Sequence, residues 1–223
     1  MINLPLIRTS IWGSPNLGIY LKVVGNYLLV PPNAKDKFVK ELEVALNLKA
    51  VPARIYDTNL LGVFIAGNEN GVILPAVAGI EEIKALESLG MELEIINSKI
   101  TALGNAILAN SYGALVHPGM SDEDIELIRK TLKVPVVRGR ISGIPVVGSL
   151  SVITDKGGIV TPSVSDEELK NLRRHFSVEI YPGTVNDGVK FVKLGLVASK
   201  EGVAVGALTT PVEIDVITQA FGL

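Results

Sequence analysis

The stretch Gly148-Ser149-Leu150-Ser151-Val152-Ile153-Thr154-Asp155-Lys156-Gly157-Gly158-Ile159-Val160-Thr161-Pro162 decides the fold. It reads as a glycine, an apolar run, a polar turn at Asp155 to Gly158, a second apolar run and an X-Pro step. Two short apolar runs around a turn predict a β-hairpin, and the proline closes it because it cannot extend the ladder. The same signals occur five times. X-Pro steps fall at Val30-Pro31, Leu74-Pro75, His117-Pro118, Thr161-Pro162 and Thr210-Pro211, at spacings of 44, 43, 44 and 49 residues. Upstream of them, Gly18, Gly62, Gly104, Gly148 and Gly195 precede the prolines by 13, 13, 14, 14 and 16 residues. A fixed period of this length is the signature of a repeat architecture.

After each proline the pattern changes to a helical one. Val39/Leu42/Leu46, Ile83/Leu86/Gly90, Ile125/Ile128/Leu132, Leu169/Leu172/Phe176 and Ile214/Ile217/Phe221 form an i, i+3, i+7 stripe in every copy. Ser165 with Glu168 and Thr210 with Glu213 have capping-box spacing, Ser121 with Asp124 is a weaker version, and Pro211 suits the first helical position. The second copy is degenerate, with Gly79 before its helix and Gly90 in its stripe.

An extended segment follows each of the first four helices, at Val51 to Tyr56, Leu93 to Ile96, Val134 to Arg138 and Val178 to Tyr181. The fifth copy has none, and Ile2 to Arg8 is an unassigned extended piece ahead of the first hairpin. The N-terminal strand is therefore expected to complete the fifth unit. An open array leaves unpaired edges and uncovered apolar faces, and closure into a ring removes both. Units this short bury their helix stripe only by sharing it with neighbours, so residues 1–223 are read as one domain without a linker.

Composition bounds the rest. A chain of 223 residues can bury roughly 70% of its unfolded surface, and 48% apolar against 20% charged residues excludes extensive disorder. The longest apolar or glycine run, Gly71 to Ile80, contains Pro75 and is far short of the ~20 residues of a spanning helix. Arg8 and Pro5 interrupt any signal-peptide core, so a cytoplasmic protein is expected. With no cysteine there is no disulfide, thiolate nucleophile or cysteine-bound zinc. A formal charge of -2 argues against broad phosphate neutralisation of free nucleic acid, leaving only local RNA contact. No cofactor and no metal is implied.

Several longer stretches resemble the translation initiation factor 6 family of archaea and eukaryotes. They are Ala102-Leu103-Gly104-Asn105, Ala114-Leu115-Val116-His117-Pro118, Val147-Gly148-Ser149, Gly157-Gly158-Ile159-Val160, and Gly183-Thr184-Val185-Asn186 followed by Gly188, within a likeness spanning about Ile11 to Phe221. The resemblance implies a pentein, an α/β β/α-propeller of five quasi-equivalent units around a pseudo-fivefold axis. It also implies a monomer that binds the intersubunit face of the large ribosomal subunit beside the sarcin-ricin loop and blocks joining of the small subunit. Four residues are carried over or aligned as candidate ribosome contacts, expected on one rim of the ring: Asn105 and Asn186 by motif, Ser149 as the equivalent of Asn105, and Asn59 three residues before Gly62.

Each has a plainer reading beside it. Asn serves turns that need left-handed geometry or a side-chain-to-backbone bond, and the repeated glycines fit sharp turns or close strand approach. His117 ends a strand, while His175 sits near a helix end with Lys170, Arg173 and Arg174. Neither has partners for a triad or a metal site. The basic run at Arg173, like Arg138 and Arg140, reads as a solvated face, with RNA phosphate as the alternative. Trp12 is equally suited to core packing and to a partner-facing anchor.

Two further classes compete. The same five-unit fold hosts guanidino-modifying enzymes whose covalent mechanism needs a cysteine, which this chain lacks. A non-cysteine enzyme would need a catalytic carboxylate pair, but the acidic residues Asp122, Glu123, Asp124, Asp166, Glu167 and Glu168 fall at helix N-termini. The other class is a protein that binds a small molecule in the central channel.

Overall fold

The structure, a computed structural model, describes residues 5–223. Strand β1 is Leu6–Thr9. The first unit follows as helix α1 (Leu17–Tyr20), strands β2 (Lys22–Val24) and β3 (Tyr27–Val30), helix α2 (Asp36–Leu46) and strand β4 (Lys49–Pro52). The second repeats that order in α3 (Leu61–Phe64), β5 (Ala66–Gly67), β6 (Gly71–Pro75), α4 (Ile80–Glu87) and β7 (Glu92–Ile96). The third has α5 (Leu103–Ala106), β8 (Ile107–Ala109), β9 (Ala114–Val116), α6 (Asp122–Leu132) and β10 (Val136–Arg138). The fourth has α7 (Val147–Leu150), β11 (Ser151–Ile153), β12 (Gly158–Val160), α8 (Asp166–Phe176) and β13 (Ile180–Pro182). The fifth replaces the short α-helix by a 3-10 turn, Val192–Gly195, and ends with β14 (Leu196–Ala198), β15 (Val203–Gly206) and α9 (Pro211–Phe221).

The result is a mixed α/β protein with five small three-stranded sheets. In each of the first four units the hairpin is antiparallel and the exit strand pairs parallel with its second strand, as β4 does with β3. In the fifth sheet that place is taken by β1, parallel to β15 in the register Leu6↔Val203 to Thr9↔Gly206. The predicted N-terminal strand is thus Leu6–Thr9; its expected start at Ile2 to Leu4 lies outside the described residues.

Three readings change. The extended segment expected at Val51 to Tyr56 is the strand Lys49–Pro52, and Tyr56, with a φ of +53°, lies in a turn beyond it. The repeat glycines were expected at sharp turns or close strand approaches; four sit inside one-turn helices and Gly195 ends the 3-10 turn. Glycine has low helix propensity and four residues show no periodicity, so nothing in the sequence marks these turns. The close approach is helix on helix: α1 contacts α3, α3 contacts α5, α5 contacts α7, α7 contacts the 3-10 turn, and that turn contacts α1. A Cβ on Gly62 would collide with the carbonyl oxygen of Gly18, one on Gly104 with that of Gly62, and one on Gly148 with that of Gly104. In addition, α4 stops at Glu87, so Gly90 is not part of a stripe; its φ of +70° marks a left-handed turn beyond the helix, the normal place for glycine.

The predicted caps are present. Ser121, Ser165 and Thr210 accept from the backbone N–H of Asp124, Glu168 and Glu213, whose carboxylates bond back to the cap N–H. The stripes are buried where they meet the sheets, with Leu42, Leu46, Ile128, Leu132, Phe176 and Ile217 all excluded from solvent or nearly so.

Neighbouring units are also pinned by polar side chains at the hairpin turns. Asn68 Nδ2 donates to the Asn110 carbonyl at 3.0 Å and to the Leu132 carbonyl, at the end of α6, at 2.9 Å. Asn110 Nδ2 does the same one unit later, to Thr154 at 3.3 Å and to Phe176, at the end of α8, at 2.9 Å. From the fifth unit, Ser199 Oγ donates to the Leu46 carbonyl, at the end of α2 in the first unit, at 2.6 Å. Each clamp satisfies a carbonyl that the helix terminus leaves open.

Candidate functional site

The hairpin turns lie at one end of the sheets, and at the other the chain returns from each exit strand into the next short helix. The loops there repeat a tight turn. Isolated bridges close it at Ile11↔Ser14, Ile55↔Thr58, Ile141↔Ile144 and Val185↔Val189. Its central residues are left-handed: Trp12 and Gly13, Tyr56 and Asp57, Ser142 and Gly143, Asn186 and Asp187. Positive φ at two successive positions is the type I′ geometry of the first three turns; the fourth is one residue longer, with Gly188 also left-handed at a φ of +92°.

Three of these turns are held by the capping glutamate of the same unit's long helix. Glu82 accepts from the N–H of Tyr56 and Asp57 at 2.8 and 2.9 Å, and Glu168 from Ser142 at 2.8 Å. Glu213 accepts from Asp187 and Gly188 at 3.1 and 2.9 Å. Burial alone would raise the Glu213 carboxyl, but N–H donors from Thr210 and Gly188 and hydroxyls of Thr184 and Thr210 outweigh it and hold it at about 2. The Ser165 amide, against the opposing effect of burial and with help from the Ser142 amide, likewise keeps Glu168 below its ordinary value. These carboxylates are committed to backbone amides, a structural use that capping-box spacing alone did not reveal.

What the turns present outward is aromatic. Trp12 is 46% exposed and Tyr56 is 56% exposed, at the same position of the turn in adjacent units. Each is braced edge-to-face by the last residue of the following short helix, Trp12 by Tyr20 at 5.3 Å and Tyr56 by Phe64 at 6.2 Å. Trp12 is therefore a surface residue. The only sequence signal for the Tyr56 counterpart was its alignment with Trp12 in the repeat. Ile80 and Val212, at the starts of α4 and α9, are also exposed.

The four residues singled out from sequence have the following places. Asn59 is half-buried in the loop before α3; its Nδ2 donates to Asn33 Oδ1 at 3.3 Å, and its own Oδ1 is buried without a hydrogen-bond partner among the described residues. Asn105 is half-buried in α5, with Oδ1 3.5 Å from Lys193 Nζ. Ser149 is buried in the adjoining α7. Asn186 is buried in the left-handed turn of the fifth unit, where Nδ2 donates to the Pro15 carbonyl at 3.1 Å and Oδ1 accepts from Thr209 at 3.3 Å. The structure brings Asn105 and Ser149 onto contacting helices and ties Asn186 to the first unit; Asn59 belongs to the second unit's loop.

Two of the arginines read as a solvated face are tied to backbone carbonyls. Arg173 donates to the Ile180 carbonyl from both Nε and Nη2, at 3.0 and 2.7 Å, and lies over Tyr181. Arg138 donates to the Met120 carbonyl at 3.0 Å and to Asp122 at 2.6 Å. His117 Nδ1 accepts from the Gly119 N–H at 2.9 Å, and His175 Nε2 is 3.0 Å from the Ala114 carbonyl. Among the described residues no group of three His, Asp or Glu side chains could hold a metal ion, and no helix is long and apolar enough to cross a membrane.

Between the units lies a cavity of about 370 Å³ lined by residues of all five. Lys193, from the 3-10 turn, reaches into it. Its Nζ donates to the Gly62 carbonyl, to the Gly104 carbonyl at 2.6 Å and toward Asn105. Burial and the nearby Lys22 ammonium push its pKa well below the usual lysine value. Sequence reasoning missed Lys193, which follows an apolar run in a unit whose glycine-to-proline spacing departs from the others.

Aromatic side chains braced on repeated turns thus stand out from an α/β scaffold of five serially contacting units. The chain belongs to the eIF-6 family, whose profile matches residues 6–220. It is 42% identical to translation initiation factor 6 of Saccharolobus solfataricus over 97% of this chain and 99% of that protein. To the proteins of the same name from Sulfolobus acidocaldarius and Methanosarcina mazei it is 36% identical over 97% of this chain, covering 98% and 99% of theirs. Five three-stranded sheets in serial contact are consistent with a five-fold repeated fold of this family.

Proposed function

We propose that this protein is a translation initiation factor that binds the large ribosomal subunit at its intersubunit face, near the sarcin-ricin loop, and sterically keeps the small subunit away. In this reading residues 1–223 act as one domain, a pentein ring closed by the N-terminal strand, working as a cytoplasmic monomer without cofactor or turnover. The observation that carries it is the pair of exposed, braced aromatics Trp12 and Tyr56, in a chain whose relatives bear the name translation initiation factor 6. Rigid aromatic anchors contribute contact area at little entropic cost, as a steric blocker requires.

The end bearing these turns is the docking end. Asn59 and Asn105 keep enough exposure to touch the subunit, while the buried Ser149 and Asn186 act by fixing the backbone around them. The test is co-sedimentation with purified large and small ribosomal subunits at rising salt. Selective retention on the large subunit is expected; equal or absent binding overturns the proposal.

A further inference from the structure

The cavity between the five units carries a charge distribution that packing does not explain. Its size is within the range of small-molecule sites, and Leu21, Ile107, Val152, Leu196 and Val197 are among the apolar residues lining it. Three lysines line it as well, and one of them is unaccounted for. Lys193 spends its donors on the carbonyls of Gly62 and Gly104 and on Asn105. Lys22, half-buried at the start of β2, has no hydrogen bond and no salt bridge among the described residues, and only burial acts on its ammonium.

The carboxylates nearby are engaged elsewhere. Glu69 and Asp155 both pair with Lys200 across the hairpin turns. Asp155 also accepts from the N–H and hydroxyl of Ser111 at 2.8 and 2.7 Å, and Glu201 pairs with Lys156 at 3.1 Å. A half-buried cation without a counter-charge, lining a cavity with apolar walls, is complementary to an anion with a hydrocarbon body.

We propose that this cavity is a binding site for a small organic carboxylate, its head group on Lys22 Nζ and its aliphatic chain along the walls between Leu21, Ile107 and Leu196. Its ligand is a small molecule and not the ribosomal subunit, so the site can fail while ribosome binding stands. Burial lowers Lys22 to about 8, leaving it mostly cationic at neutral pH. The other groups facing it are Lys193, whose donors are committed to the Gly62 and Gly104 carbonyls, and, nearer the turns, the paired Lys200, Asp155 and Glu69 and the Glu201 paired with Lys156. Binding therefore weakens as pH rises through about 8.

The experiment is an amide NMR titration of the full chain with hexanoate, and separately with hexanol. Hexanoate should give saturable shifts confined to Leu21–Val24, Ile107–Ala109 and Leu196–Ala198, with a dissociation constant on the order of 1 mM. Hexanol should not reproduce them, and Lys22→Met should weaken the hexanoate response about tenfold. If that variant does not fold, raising the pH of the wild type from 7 to 9 should produce a comparable loss. The proposal is overturned by scattered or absent shifts, by equal responses to hexanol, or by a response unchanged in the variant or at high pH.

Discussion

The two ends of the repeat use their polar side chains differently. At the hairpin-turn end, Asn68, Asn110 and Ser199 reach across to the next unit and cap the ends of its helix. At the opposite end, Glu82, Glu168 and Glu213 turn inward on their own unit's loops and leave Trp12 and Tyr56 standing in solvent. The hairpin end spends these side chains on joining units; the loop end, besides the tie from Asn186 to Pro15, spends them on holding turns whose tips at Trp12 and Tyr56 stay exposed.

The contrast can be broken first at the seam both ends share. A side chain on Gly104 meets the carbonyl oxygens of Gly62 and Ile65, so Gly104→Val should cost more than about 3 kcal/mol in urea unfolding. At the hairpin end, Asn110→Ala removes a 3% exposed side chain and strands the carbonyls of Thr154 and Phe176, with an expected loss of about 3 kcal/mol by the same measurement. If its stability is unchanged, the clamps do not join the units.

At the loop end, Glu213→Gln should cost about 2 kcal/mol at pH 7. Its sign with pH is fixed by a folded-state pKa lowered from 4.5 to about 2. The carboxylate's contribution is complete above the unfolded value and disappears as pH falls from about 4.5 towards 2, so the variant's acid-unfolding curve should be flatter across that window. The smallest stability effect belongs to the tips. Trp12→Ala and Tyr56→Ala should each change unfolding free energy by less than about 1 kcal/mol while weakening co-sedimentation with the large subunit by about tenfold or more. Unaltered binding in both would remove the loop end from the interface.

Much of the scaffold was legible because it rests on short-range signals. The X-Pro steps, the i, i+3, i+7 stripes and the Ser121, Ser165 and Thr210 caps are each written within a few residues, and the missing exit strand of the fifth unit pointed to its N-terminal replacement. The short helices were not legible, since glycine in a four-residue segment depends on a neighbour's backbone and not on its own sequence. The site was less visible still. Asn105 and Asn186 stood out as motif residues, yet the structure engages Asn186 with Pro15 and Thr209. Lys22 and Lys193 are ordinary lysines in sequence and become unusual only when five units enclose them.

The pairing of β1 with β15 also governs when the molecule can be finished. Arg8 Nη1 donates to the Thr209 carbonyl across a separation of 201 residues, and the fifth sheet joins segments almost as distant. Contacts so far apart are slow to form because the closure entropy precedes their reward. As a nascent chain leaves the ribosome, the first four sheets can assemble in order from what has already emerged. The fifth must wait with one edge open until the last hairpin arrives, so completion of β15 is expected to set the pace of folding.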